Sequence, residues 1–307
     1  MNMQAEKKYF RIKFAAIAIF VFIFFPALVK ASDFFFDSTL EPIYKGDTFI
    51  VQLKLSTTDN LINAVEGYLS FDNNKLEVKE ISAGGSIFSL WPKPATAQND
   101  NGEISFVGGV IGGFQGDGAE ILKIIFLAKN EGAAGLNFEN NSLLFLNDGK
   151  GTKISYTAKP FWVGIQERPA GLAPKDEWRP LLEQDKTPPE SFELIVDKSK
   201  FVFEGDYFVS FFTTDKDSGV DHYEIKEGDG PFIKADSPYR LKDQSLRNTI
   251  EVKAVDKAGN EKVVVLLPLR PESIYQKFLF WGILIVALVL LFLGGSVWRK
   301  KRHSLNR

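Results

Sequence analysis

Two uncharged runs bracket this chain and confine what can fold as a globule to the residues between them. The first, Phe14 to Val29, follows Lys7, Lys8, Arg11 and Lys13 and carries Pro26 near its end. The second, Phe278 to Trp298, is followed at once by Arg299, Lys300, Lys301 and Arg302. A hydrocarbon core of about 30 Å needs about 20 apolar helical residues, and the second run meets that length. The first is shorter and closes on Val29-Lys30-Ala31, residues of the size a signal peptidase reads, so 1–31 is expected to be a secretory signal. Basic clusters beside a span stay in the cytoplasm. The expectation is a single-pass protein of the cell membrane, with a transmembrane helix over 278–298, a basic cytoplasmic tail over 299–307 and the bulk outside. If the signal is retained, the chain is a two-span hairpin with the same exterior. Trp281 and Trp298 lie near the two ends of the second run, where amphipathic rings suit the membrane interface.

About 240 residues remain between the runs, room for two ordinary domains. Lys and Arg number 37 against 39 Asp and Glu, so there is no electrostatic case for nucleic acid. The chain has no Cys, which excludes disulfides, thiol chemistry and Cys-based zinc sites. Stability must then come from apolar cores, and the 28 Phe residues, many of them in alternating runs, suit sheets with one buried face.

The alternation is clearest in a first block, 33–163. In Thr48 to Ser56, Phe49, Val51, Leu53 and Leu55 face one way and Gln52, Lys54 and Ser56 the other. In Val65 to Phe71, Val65, Gly67, Leu69 and Phe71 oppose Glu66, Tyr68 and Ser70. Glu103 to Val107, Ile121 to Lys129 and Leu136 to Phe138 read as further strands. Turn residues separate them, among them Asp72-Asn73-Asn74, Asn99-Asp100-Asn101-Gly102 and Asn147-Asp148-Gly149. Many short strands with no helical period imply an all-β antiparallel sandwich. A second block, 191–270, holds strands at Tyr207 to Thr214, His222 to Lys226, Thr249 to Asp256 and Lys262 to Leu266, a spacing that fits an immunoglobulin- or fibronectin-like sandwich. Between the blocks, 164–190 carries Pro169, Pro174, Pro180, Pro188 and Pro189 and reads as a semi-rigid linker, with Trp178 placed to pack on a neighbouring domain.

Little in these blocks suggests chemistry. Gly108 to Gly118 is glycine-rich but no Gly-Lys-Ser/Thr follows, so it reads as a loop with positive φ angles and not as a phosphate cradle. Asp215, Asp217 and Asp221 are spaced like the start of a calcium loop, but Val220 and Lys226 stand where Gly and Glu are needed. His222 is the one histidine outside the tail, and no Ser and Asp are marked as its partners. No cofactor, no metal site and no catalysis are expected.

The first block resembles the cohesin domain, a β-sandwich of bacterial scaffold proteins. The resemblance is carried by Asn60 to Asp72 followed by Lys75-Leu76-Glu77-Val78, by Gly102 to Phe106, by Gly112-Gly113-Phe114-Gln115-Gly116, by Ile124 to Lys129, and by Ser142 to Thr152. It implies a nine-stranded jelly roll, one sheet face of which docks a dockerin, a small calcium-binding pair of helices borne by a polysaccharide-degrading enzyme. The second block resembles bacterial immunoglobulin-like stalk domains through Thr213 to Val220 and Val252 to Asn260.

The residues opposite the expected core are the candidate partner-binding set: Glu66, Tyr68 and Ser70 on one strand, Ser105 and Val107 on a second, and Ile125 and Leu127 on a third. Glu66 falls where some cohesins carry an acidic contact. Ile125 and Leu127 sit on a strand apolar on both faces, which implies either cover by another element or an exposed patch. The favoured function is a non-catalytic surface receptor for an extracellular, dockerin-like protein module. The alternative is direct polysaccharide binding through Tyr68 and Trp91, with Trp91 equally able to plug a sandwich end. The third reading is an architectural envelope protein.

Overall fold

The computed structural model describes residues 32–38, 42–270 and 274–305; the segment 1–31, read as a signal peptide, lies outside them. The described residues form two compact units: one runs to Asp185 and includes Lys216–Gly219, the other comprises Lys186–Asp215 and the residues from Val220 on.

The first unit is built from β1 (Ser32–Ser38), β2 (Ile43–Tyr44), β3 (Thr48–Phe71), β4 (Leu76–Ser82), β5 (Leu90–Gln98), β6 (Glu103–Ala128), β7 (Gly132–Phe138), β8 (Leu143–Leu146), β9 (Lys153–Ile154), β10 (Tyr156–Ala158), β11 (Phe161–Gln166) and a short helix α1 (Trp178–Gln184). Strands β3 and β6 pair antiparallel from Thr48↔Leu127 to Ser70↔Glu103, so one long ribbon runs through the unit. Its register breaks between Leu53 and Ala64, opposite the glycine-rich stretch of β6. Gly112, Gly113 and Gly118 there have φ of +84°, +81° and +63°, a region open to glycine without steric cost. The stretch expected to be a loop is thus a bent part of a continuous strand. On one side of the bend the ribbon carries β1, with β10 beside it, and β4; on the other it carries β5, β7 and β8. Strand β5 is an edge, which its prolines Pro92 and Pro94 require, since proline cannot donate to a ladder on both sides.

The inward faces of both halves meet in one core that includes Phe34, Phe49, Leu53, Leu69, Phe106 and Phe126. Burying each such side chain contributes about 1.5–3 kcal/mol. Gly67 faces inward too: a Cβ there would lie 2.3 Å from the Phe106 ring, so the glycine is what lets that ring cover the strand.

The segment expected to be a semi-rigid linker is bound in part. Strand β11 extends to Gln166. Beyond it, Arg168 donates to Asp47 Oδ1 at 2.8 Å and to Lys45 O. Lys175 N donates to the same Asp47 oxygen at 2.7 Å, Glu177 Oε2 accepts from Ile50 N at 2.9 Å, and Trp178 packs on Ile50 and Ile125. The first unit therefore continues to Asp185, and Trp178 fulfils the packing expected of it on this unit.

The second unit contains β12 (Ile195–Ser199), β13 (Val202–Ser210), β14 (Val220–Glu227), β15 (Ile233–Lys234), β16 (Tyr239–Arg240), β17 (Ile250–Asp256) and β18 (Glu261–Leu266). They form a three-stranded sheet, β12-β13-β16, and a four-stranded sheet, β15-β14-β17-β18. Val209, Phe211, Ile225, Leu241, Ile250 and Val252 make its core. The β17–β18 turn is closed by Asp256, whose carboxylate accepts from Asn260 N at 2.8 Å and Nδ2 at 2.9 Å. A helix, α2, covers Ile274–Leu305. Among the described residues no helix is long and apolar enough to cross a membrane.

Two outcomes test this packing. Gly67→Ala is expected to lower the stability of the first unit by about 1–3 kcal/mol, the cost of overpacking, read as a shift of its urea midpoint. Asp47 is buried, which acts to raise its pKa, but the hydrogen bonds from Arg168, Lys175 N and Tyr44 N outweigh burial and hold the carboxyl below the usual range. A depressed folded pKa stabilises above the unfolded value, and that stability is lost as pH falls through the folded one. Arg168→Ala is therefore expected to cost about 3 kcal/mol near neutral pH, and the gap to the parent chain is expected to close in acid, once Asp47 is protonated in both.

Candidate functional site

Strands β5, β6, β3, β8 and β9 lie side by side in that order across one half of the sandwich. Because successive side chains on a strand alternate, the register fixes which residues share the outer face. One row runs Lys93, Val107, Glu66, Leu143. The rows beside it are Leu90, Gly109, Ala64, Phe145, Lys153 and Thr96, Ser105, Tyr68. Five of the sequence candidates, Glu66, Tyr68, Ser70, Ser105 and Val107, thus share a single face.

The polar members of this face are tied to one another. Tyr68 OH donates to Glu66 Oε1 at 2.6 Å. That carboxylate raises the Tyr68 pKa above its ordinary value, chiefly through the hydrogen bond and further through its charge. Lys93 Nζ donates to Ser105 Oγ at 2.9 Å. Ser70 Oγ donates to Glu139 and accepts from Asn137 Nδ2 at 3.4 Å. Lys153 Nζ stands 5.9 Å from the Phe145 ring centre. Val107, Leu143 and Phe145 supply half-buried apolar surface. The result is a mixed face, in which Glu66 stands between Val107 and Leu143 and the apolar residues alternate with pre-oriented polar groups of both signs.

Two sequence candidates do not belong to it. Ile125 is 0% exposed, sealed under Trp178; the apolar residues on both faces of that strand reflect cover by α1. Leu127 pairs with Thr48 and Glu77 on the other half of the sandwich. Trp91, the carbohydrate candidate beside Tyr68, packs edge-on against Phe88 at 5.8 Å and tilted against Phe106 at 6.0 Å, so it closes the core and does not present a free ring. Tyr68 and Trp91 form no flat aromatic row. Trp162, which sequence reading passed over, is 65% exposed on β11, with its ring over Gly135. Lys93, Leu143 and Phe145 were also missed. Lys93 stands between two prolines, and Leu143 and Phe145 lie in an unbroken apolar run, so neither segment shows alternation.

In the second unit, His222 Nδ1 lies 2.6 Å from Asp221 and Nε2 3.7 Å from Glu224. Glu224 also binds Lys253 at 3.1 Å, which lowers its pKa. This is a surface ion-pair cluster that occupies the imidazole.

Residues 36–160 match the family model of the cohesin domain, and the chain carries a cohesin domain there. No curated protein matches the chain. Among solved structures, the chain is similar to a non-cellulosomal cohesin from the hyperthermophilic archaeon Archaeoglobus fulgidus, at 17% identity over 45% of this chain and 92% of that one, TM-score 0.38. It is also similar to a type I cohesin–dockerin complex from Clostridium thermocellum, at 14% identity over 45% and 100%, TM-score 0.37. A third is the cohesin module of a family 33 glycoside hydrolase from Clostridium perfringens, at 13% identity over 44% and 98%, TM-score 0.37. At such identities and scores, none of these likenesses bears on what this chain binds.

The Glu66–Tyr68 pair yields a direct test. A phenol bonded to a carboxylate is harder to deprotonate. The Tyr68 ring is expected to titrate above an ordinary tyrosine in the parent chain and to fall back towards it in Glu66→Gln, as followed by NMR of the ring Cζ against pH.

Proposed function

We propose that this chain is a non-catalytic cell-surface receptor whose cohesin domain captures a dockerin-bearing protein, with the outer face of β5, β6, β3, β8 and β9 as the docking surface. The observation that carries this reading is the composition of that face within a cohesin domain. Protein interfaces combine apolar and polar contacts, and here Val107, Leu143 and Phe145 are interleaved with Glu66, Tyr68, Lys93 and Lys153. A polysaccharide would be served by a row of flat rings instead, and Tyr68 is bound to Glu66 while Trp91 is packed on the core.

Anchoring belongs to the same proposal. Ile283, Leu284, Ile285 and Val286 are consecutive on α2 and all exposed. Four consecutive helical residues point in all directions, and a helix apolar all round needs an apolar medium. Arg299 to Arg302 follow this run, which favours a cytoplasmic end there. The second unit, with its own small core, then serves as a stalk between the bilayer and the cohesin domain.

The test is titration of the full chain with purified dockerin modules in calcium. Val107→Asp replaces an apolar contact with a second carboxylate beside Glu66 and is expected to weaken binding at least tenfold, about 1.4 kcal/mol or more. Unchanged affinity in Val107→Asp, or no dockerin bound by the parent chain, overturns the proposal.

A further inference from the structure

We infer that the second unit rests on the bilayer surface, inserting Phe201 at the tip of the β12–β13 hairpin into the lipid interface. This deepens the anchored reading above and depends on it.

The hairpin closes at Ser199↔Val202, so Lys200 and Phe201 are its two turn residues. Phe201 is 100% exposed, its ring wholly in solvent. The neighbouring Phe203 by contrast packs on Phe208, ring centres 6.0 Å apart. An aromatic ring at a turn tip, flanked by the exposed Lys198 and Lys200, has the composition of an interfacial contact: the ring enters the acyl boundary while the lysines reach the headgroups.

The chain leaves the second unit at this same end. Past Ser199↔Val202 the next β12–β13 pair is Lys198↔Tyr207. Arg270 Nη2 donates to the Tyr207 hydroxyl at 3.1 Å, and its guanidinium lies 5.7 Å from that ring. Lys198 Nζ lies 4.8 Å from the same ring centre. Arg270 N also donates to Leu246 O at 3.0 Å. Helix α2 begins at Ile274, and four residues of chain span at most about 14 Å. The bilayer holding α2 is therefore within reach of the hairpin tip. Leu267 and Leu269, on the exit segment, are 72% and 52% exposed and add apolar surface at this end. The short tether and the single aromatic tip fit a membrane surface better than a second protein, which would need a broad patch.

The chain has no Cys, so single cysteines report singly. The full chain is reconstituted in phosphatidylethanolamine–phosphatidylglycerol vesicles, with an environment-sensitive fluorophore on Lys200→Cys, Val289→Cys or Asp236→Cys. Asp236 adjoins Ser237, whose hydroxyl binds Phe211 N past the far end of β13. The label at 200 is expected to be quenched by lipids spin-labelled near the headgroup, and the label at 289 by lipids spin-labelled deep in the acyl chain. The label at 236 is expected to escape both. Adding Phe201→Asp to Lys200→Cys is expected to abolish quenching at 200. Quenching at 289 without quenching at 200, or quenching at 200 that survives Phe201→Asp, overturns this inference and leaves the anchor standing. No quenching at 289 overturns the anchor and the inference together.

Discussion

The β3–β6 ribbon is the element on which the first unit depends. It places Phe49, Leu53 and Leu55 from one of its halves and Val65, Leu69 and Phe106 from the other in a single core. Every other strand of the sandwich except β2, β9, β10 and β11 pairs directly with it. A ribbon of this length can serve both halves only if it bends, and the bend is supplied by glycines whose positive φ values other residues tolerate poorly. The same ribbon sets the register of the outer face. A slip of one residue would turn Glu66, Tyr68, Ser105 and Val107 inward and expose the core, so the proposed docking face is as strongly specified as the core itself.

The two outer faces of the first unit are finished differently. One is closed: Trp178 caps Ile50 and Ile125, Glu177 satisfies a backbone donor of β3, and Arg168 neutralises buried Asp47. The other leaves Val107, Leu143 and Phe145 half-buried among polar groups held in fixed pairs. Pre-oriented groups lose little freedom when a partner arrives. That contrast, within one domain, is the physical reason to assign binding to the face of Glu66 and Tyr68.

Alternation made Thr48 to Ser56 and Val65 to Phe71 legible, although Ile50 is buried on the opposite face under Trp178 and Gly67 stands within the second run. The outward set Glu66, Tyr68 and Ser70 followed from that period, as did Ser105 and Val107. Other parts did not follow because their signals are ambiguous in one dimension. Pro92 and Pro94 argue against a strand unless its edge position is known. Leu143 to Leu146 is apolar throughout, so its faces cannot be told apart. Ile125 is apolar because α1 covers it, and the Pro-rich composition around Trp178 gives no hint that this segment is bound. In the second unit, β13 starts at Val202, well before the expected Tyr207, because an irregular stretch with positive φ at Phe203 and Glu204 interrupts the pattern.

The central claim is that the face of Val107, and not the face of Leu127, meets the partner. A photocrosslinking residue placed at position 107 or at position 127 of the full chain, irradiated with a bound dockerin module, tests it most directly. The account predicts a covalent adduct from position 107 and none from 127. Adducts from 127 alone would move the docking surface to the other half of the sandwich and contradict it.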